Sequence, residues 1–227
     1  MKQLKGDYDT SRTFLYQHCL KDWWPALDAQ KKVISCSKGE IIFAEGQQLE
    51  GVYFMVEGVV KIHKSWTDDK ELVIRWAREN DIIGHRGLST FSNIYPVTAT
   101  ALSDAIVCQL ELDFFRSTLA VNAAFSYAFM MFFADELYFS EQRMRDLAHM
   151  PVKGRVAQAL LAIESKFSSN EKGFISFAVS RQDIAAYTGA AYETVYKILT
   201  EWIGSGVIRT DGKYIGIADR KTLEALC

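Results

Sequence analysis

QDIAAYTGAAYETVYKIL, residues 182–199, carries two short helical patterns separated at Gly189. Ser180 followed by Asp183 has the spacing of a capping box, which starts a helix at Arg181. Ile184 and Ala185 fall on its inward side, and Gly189 supplies a turn that a side chain would obstruct. Val195, Ile198, Leu199 and Trp202 then share the buried side of a second helix. A small residue at 185, glycine at 189 and a branched residue at 195 form the spacing of a helix-turn-helix. The stretch after it, GVIRTDGKYIGIAD (206–219), reads as two short strands around Asp211-Gly212, a hairpin in the place of a wing.

On the second helix the outward positions are Tyr192, Glu193, Tyr196 and Lys197, near its N-terminal half. That is the part of a helix that reaches base edges in a major groove. Glutamate accepts from a cytosine amino group, lysine donates to guanine, and tyrosine meets a thymine methyl or a phosphate. Ser180, Arg181, Gln182, Thr194 and Lys213 are the candidates for phosphate contacts that set the register. A helical hairpin with only structural duty leaves polar residues at the same places, and exposed tyrosines also suit a protein interface.

Working back along the chain, Pro151 marks a break and suits the first turn of a helix over 151–167. SSNEKG (168–173) reads as a loop and FISFAV (174–179) as a short strand. From Asp113 to His149 the period is helical. Met130, Phe133, Leu137, Ser140, Met144 and Leu147 alternate steps of three and four, the seam of two helices packed lengthwise. A second row, Phe125, Phe129, Phe132 and Phe139, is expected to lie on the preceding domain. The competing reading is one helix buried within a single domain.

Between Val33 and Leu112 the pattern changes to short β-rich runs punctuated by glycine: EIIFAEG (40–46), VYFMVEGVVKIHKSW (52–66), LVIRWA (72–77), DIIG (81–84), VTATAL (97–102) and AIVCQLE (105–111). Such spacing predicts an antiparallel sandwich or barrel. The first 30 or so residues have helical spacing, anchored by Phe14, Leu15, Leu20, Trp23, Trp24 and Leu27. The fold class is therefore α+β, with an N-terminal β-domain and its helices over 1–120, a long helix over 121–149 and the helix-turn-helix over 150–227.

Composition agrees with a globular chain: 227 residues, 49% hydrophobic and 24% charged. Residues 1–150 hold 16 Lys+Arg against 20 Asp+Glu, and 151–227 hold 10 against 8, so the net of −2 divides into −4 and +2. A slightly basic C-terminal part permits phosphate contact. AFMMFFA (128–134) is too short to span a bilayer, and no leader pattern stands at the start, so no membrane and a cytoplasmic location are expected. Cys19, Cys36, Cys108 and Cys227 show no C-x-x-C pairing and read as separate reduced thiols; neither a metal nor a cofactor is assigned. No glycine-rich phosphate loop, H-E-x-x-H or G-x-S-x-G occurs, so an enzyme is not expected.

In order, KGEIIFAEG, YFMVEGVVKI, DIIGHRGL, the long helix, GRVAQALL, SRQDIAAYTGAAYETVYKIL and GKYIGI resemble the cyclic-AMP-receptor and fumarate–nitrate-regulator (CRP/FNR) family of bacterial transcription factors over nearly all of 33–220. The founding member of that family is itself a helix-turn-helix protein. The resemblance implies a β-roll of the cyclic-nucleotide-binding, jelly-roll type, a long helix forming a homodimer, and a winged helix reading pseudo-palindromic double-stranded DNA. RNA polymerase is an expected partner, with the loop 164–173 as a candidate surface that equally suits a solvated turn. Glu193 stands where the family keeps a base-reading glutamate, Lys197 replaces an arginine, and Tyr192 another.

The implied effector pocket departs from the cyclic-AMP pattern. Gly84-His85-Arg86 stands for glycine-glutamate-leucine, Tyr95-Pro96 for the arginine-serine pair that neutralises the phosphate, and Ser140-Glu141 for the pair that touches the base. A buried phosphate without a cation is costly, so cyclic AMP in the usual pose is not expected. Three readings follow. The pocket is filled by its own aromatics with Tyr95 as the plug, or it binds another ligand such as an anion held by His85 or Arg86. Alternatively it carries haem or another redox centre, with His85 and His63 as ligands. The cysteine trio of the iron–sulfur members is missing, since only Cys19 precedes the β-domain.

Overall fold

The structure is a computed structural model that describes residues 1–227 apart from Lys5, Asp7, Asp68 and Asp69. Two units divide the chain: Met1–Trp66 with Val73–Glu136, and Thr67–Leu72 with Leu137–Cys227. The first opens with strand β1 (Lys2–Gln3), helices α1 (Phe14–His18) and α2 (Trp24–Gln30), and strand β2 (Lys32–Cys36). Strands β3 (Ile41–Phe43), β4 (Gly51–Glu57), β5 (Val60–Thr67), β6 (Lys70–Ala77), β7 (Ile82–Ile83), β8 (Thr98–Ala101) and β9 (Ala105–Glu111) follow. They form two sheets, in the orders β1-β2-β9-β4-β7 and β3-β8-β5-β6.

Each β-rich run of the sequence thus becomes a strand, or two in the case of 52–66, because its apolar side chains must be covered. Cys36, Phe43, Tyr53, Met55, Val60, Ile62, Ile83, Tyr95, Val97 and Val107 meet in a core between the two sheets. A second core lies on the outer face of the first sheet. There Val52, Phe54, Ile82, Cys108 and Leu110 pack against Leu15, Tyr16, Leu27, Phe115, Phe125 and Phe129. A strand such as β4, buried on both faces, loses the clean polar alternation and reads as the near-continuous run VYFM.

Helix α3 (Leu112–Val121) ends at Asn122, and α4 (Ala123–His149) leaves it at 111°. Asn122 is fully buried, accepts from Leu20 N–H at 3.1 Å and donates to Thr118 C=O at 3.1 Å. The helical period expected from Asp113 onwards is therefore two helices, broken by a side chain that tethers the N-terminal segment. Leu20 itself, expected as an anchor, is exposed; its backbone makes the tether instead. Phe14, Trp23 and Trp24 pack at the edge of the outer core while Leu15 and Leu27 lie within it.

Besides Thr67–Leu72, the second unit comprises the C-terminal part of α4, then α5 (Val152–Phe167), α6 (Arg181–Thr188), α7 (Tyr192–Gly204), β10 (Ile208–Asp211), β11 (Tyr214–Ile217) and α8 (Arg220–Glu224). Pro151 is the N-cap of α5 rather than its first helical residue. FISFAV is not a strand: Ile175 forms a single bridge with Ser169 and donates its N–H to Ile215 C=O at 2.8 Å. The backbone before it is folded back by Asn170, whose Oδ1 accepts from Lys172 N–H and Phe174 N–H.

Candidate nucleic-acid interface and β-roll interior

Helix α6 begins as its sequence dictates. Ser180 Oγ accepts from Asp183 N–H at 2.9 Å and donates to Asp183 Oδ2 at 2.5 Å, so cap and third helical residue satisfy each other. It ends at Gly189, whose φ of +62° is the left-handed region, and a Cβ there would stand 3.1 Å from Leu147 Cδ2. Ile184, Ala185, Val195, Ile198, Leu199 and Trp202 are buried, which fixes α6 and α7 against α5. The hairpin closes one residue later than Asp211-Gly212 suggests. Asp211 pairs with Tyr214, and the loop is Gly212-Lys213 with glycine at positive φ.

This packing leaves Tyr192, Glu193, Thr194, Tyr196 and Lys197 exposed along one side of the first turns of α7. The Tyr192 and Tyr196 rings lie 6.1 Å apart, and the Arg181 guanidinium stands 4.9 Å from the Tyr196 ring centroid. Beside them is a cleft of about 220 Å³ lined by Val179, Leu199, Ile203, Ile208 and Ile215, with Ser180, Arg181, Thr210, Gly212 and Lys213 also on its wall. Three of the five candidate phosphate residues therefore meet at one cleft. Gln182 and Thr194 are exposed on α6 and α7.

Several braces had no local signature in the sequence. Arg209 of β10 donates to Lys172 C=O at 2.7 Å and covers the Phe174 ring at 4.8 Å, tying the wing to the preceding loop. Arg155 donates to Leu147 C=O at 2.9 Å and Met150 C=O at 3.2 Å, satisfying carbonyls that the end of α4 leaves open. Arg143 donates to Tyr187 C=O at 2.7 Å and lies 4.1 Å from its ring centroid. The Arg209 and Arg143 braces join residues 37 and 44 positions apart, so no local pattern announces them.

Along α4, Met130, Leu137 and Met144, spaced by seven, are 57%, 60% and 61% exposed in the single chain. Ser140 and Leu147 are half-buried and Glu141 is exposed. Two rows are otherwise corrected. Phe133 packs within the first unit, edge-on to Phe129 and His85, so it is not a free seam residue. Phe139, expected with Phe125, Phe129 and Phe132 on the β-domain, is 65% exposed and lies edge-on to Tyr138, because the outer core ends with Phe132 and Phe133.

Inside the β-roll, Tyr95 is 2% exposed and its ring stacks on Phe43 at 4.1 Å. Its hydroxyl donates to Gly51 C=O at 2.9 Å and accepts from Gly51 N–H at 3.2 Å and Glu50 N–H at 3.3 Å. Gly84, at φ +82°, would set a Cβ 3.2 Å from the Tyr53 ring and 3.3 Å from that of Tyr95. Pro96 C=O accepts from Lys64 Nζ at 3.3 Å.

His85 and Arg86 do not join Tyr95. Arg86 Nη2 donates to Glu136 Oε2 of α4 at 2.7 Å, His85 Nε2 lies 3.5 Å from the same oxygen, and Arg75 Nε lies 3.6 Å from it. The His85 ring is edge-on to Phe132 at 4.8 Å. Burial holds His85 at about 4, with Arg75 and Arg86 pushing the same way against Glu136. Burial would raise Glu136, but His85, Arg75 and Arg86 outweigh it and hold the carboxyl at about 2. The anion these residues meet is thus the protein's own. His63, the other candidate haem ligand, has Nε2 2.9 Å from Thr100 Oγ1.

Among the described residues no group of three His, Cys, Asp or Glu is placed to hold a metal ion. Cys19, Cys36 and Cys108 are buried with thiols pushed up by that burial, to about 12, 11 and 12. No single described helix is long and apolar enough to cross a membrane.

Comparison with known proteins names this architecture. The family model for the cyclic nucleotide-binding domain matches residues 33–122, and that for the Crp-like helix-turn-helix domain matches 154–226. A CRP-like cAMP-activated global transcriptional regulator of Mycobacterium tuberculosis is 29% identical over 87% of this chain and 89% of its own. An anaerobic regulatory protein of Bacillus subtilis is 27% identical over 86% and 83%. In fold, FixK2 of Bradyrhizobium japonicum superposes with a TM-score of 0.77 at 24% identity, over 86% of this chain and 96% of that one. A two-sheet β-domain and a winged helix-turn-helix, matched in this order on either side of a long helix, leave one assignment: the chain belongs to the CRP/FNR family of transcription regulators, a family of DNA-binding, non-enzymatic proteins.

Proposed function

We propose that the chain acts as a homodimer that binds a pseudo-palindromic DNA site, with the first turns of α7 reading bases in the major groove of each half-site. The observation that carries this reading is the exposed row Tyr192, Glu193, Tyr196 and Lys197 beside the cleft where Ser180, Arg181 and Lys213 meet. Base-reading groups and phosphate-reading groups share one surface, as a docked winged helix requires. Pairing through α4 suits the exposed heptad positions Met130, Leu137 and Met144, since an unpartnered apolar row of that spacing is most stable against its own copy.

We further propose that cyclic AMP in the pose of the cAMP-activated relatives is not the effector, and that the β-roll needs no ligand to fill it. Tyr95 occupies the interior with its hydroxyl satisfied on three sides and its ring stacked. A cyclic phosphate arriving there meets a tyrosine ring and a proline without a donor, and the cations of Arg75 and Arg86 face Glu136 instead. Contact with RNA polymerase is proposed by kinship alone, with 164–173 as the candidate surface.

Selection from a pool of random duplexes, without added nucleotide, tests the function. Enrichment of an inverted repeat with half-sites about one helical turn apart, bound by two chains, supports it. Failure to enrich any sequence, with a stable protein partner at the winged helix instead, overturns it. Isothermal titration with cyclic AMP tests the second proposal, which a stoichiometric complex at micromolar nucleotide would refute.

A further inference from the structure

Two columns run down the exposed side of α7. Glu193 and Lys197 are one turn apart and of opposite charge; Tyr192 and Tyr196, also one turn apart, form the neighbouring column. The aromatic column has a cap, Arg181 from the start of α6, whose guanidinium lies over Tyr196 at 4.9 Å while Tyr192 stands 6.1 Å away on the same row. An exposed tyrosine ordinarily samples several rotamers in water. With a guanidinium 4.9 Å from its ring and a second ring 6.1 Å away, Tyr196 has fewer, so its ring is pre-set before DNA arrives.

In a major groove the apolar feature is the thymine C5-methyl group, while the polar edges of cytosine and guanine suit the charged column. We infer that Arg181 is a specificity-positioning residue: it pins Tyr196 beside Tyr192 as an apolar shelf that selects thymine by its methyl group. This rests on the DNA-reading role proposed above for α7 and deepens it. A guanidinium that caps a ring through its face keeps its in-plane N–H donors for other partners, so one arginine suits both a ring and a phosphate. Lysine at 181 keeps the charge but is a poorer lid for the ring.

The test uses the full chain and the duplex recovered by selection, made with thymine and again with uracil at the half-site positions, a change that removes only methyl groups. One buried methyl per half-site predicts about fourfold weaker binding of the uracil duplex for each half-site, from the usual transfer free energy of such a group. Tyr196→Ala brings the thymine-to-uracil ratio to one. Arg181→Lys lowers the ratio while leaving the salt dependence of binding unchanged, which a purely phosphate-holding role does not predict. Equal affinity of the parent chain for both duplexes, or an unchanged ratio in Tyr196→Ala, overturns the inference and leaves the DNA-reading role standing. No specific duplex at all overturns both.

Discussion

Replacing Tyr95 with phenylalanine removes a single oxygen from the interior of the β-roll, and the backbone around it sets the cost. Leu112 N–H donates to Glu50 C=O at 2.9 Å, and Gly51 is the next residue along, opposite Glu111. Alternation in an antiparallel ladder then turns the Gly51 N–H and C=O away from β9, toward the other edge of β4. There β7 pairs only as far as Tyr53 opposite Ile83 before Gly84 leaves the strand. The Tyr95 hydroxyl takes the place of the missing strand, meeting both Gly51 groups and Glu50 N–H. Stranding these groups costs about 2 kcal/mol, at the usual penalty for buried polar groups left unpaired. For a chain of this size that lowers the melting temperature by about 4–8 °C. Tyr95→Ala adds an empty ring site and costs about 3–5 kcal/mol, of which benzene or another small arene recovers part by filling the void. Differential scanning calorimetry of parent and both variants, with and without arene, measures this. A Tyr95→Phe protein melting within about 1 °C of the parent, or arene stabilisation equal in all three, refutes the claim that Tyr95 plugs the roll.

Leu137→Glu places a charge on the most central of the exposed heptad positions of α4, and light scattering is expected to show a monomer at concentrations where the parent is dimeric; an unchanged dimer moves the interface elsewhere. Gly189→Ala forces a Cβ into the left-handed region 3.1 Å from Leu147, so thermal melting is expected to fall by the equivalent of about 1–2 kcal/mol. His85 titrates lower in the folded chain than the 6.5 of a free histidine, so the unfolded chain binds more protons between pH 6.5 and about 4 and stability falls as pH falls through that window. Glu136, held at about 2 against 4.5, adds a loss in the same direction from pH 4.5 downward. Denaturant midpoints across pH 4–7 check this, and His85→Gln is expected to flatten the upper part of the curve.

Much of this was legible because it is local. Ser180 and Asp183 cap a helix by direct neighbour contact, Gly189 ends it, and Val195, Ile198, Leu199 and Trp202 fall on one side by helical period alone. The strands followed in the same way from short β-rich runs punctuated by glycine. What escaped depends on partners distant in the chain. Asn122 breaks a helical pattern because Leu20 N–H reaches it. His85 and Arg86 carry the residue types of an anion site, yet a carboxylate fifty positions on, Glu136, claims Arg86. Phe139 keeps the period of Phe125 and Phe129, but the surface they cover ends before it does. FISFAV has strand composition, but its pairing with Ser169 stops at a single bridge. Period assigns a residue to a face; only the fold says whether anything stands opposite.

The measurement closest to the central claim is parallel site selection with the parent chain and Glu193→Ala, sequencing both bound pools. With α7 in the groove, both pools yield inverted repeats of the same half-site spacing, and one position per half-site, specific in the parent, becomes degenerate in the variant at a cost of about 1–3 kcal/mol for that base. Identical pools from the two proteins, or a parent pool without an inverted repeat, contradict it.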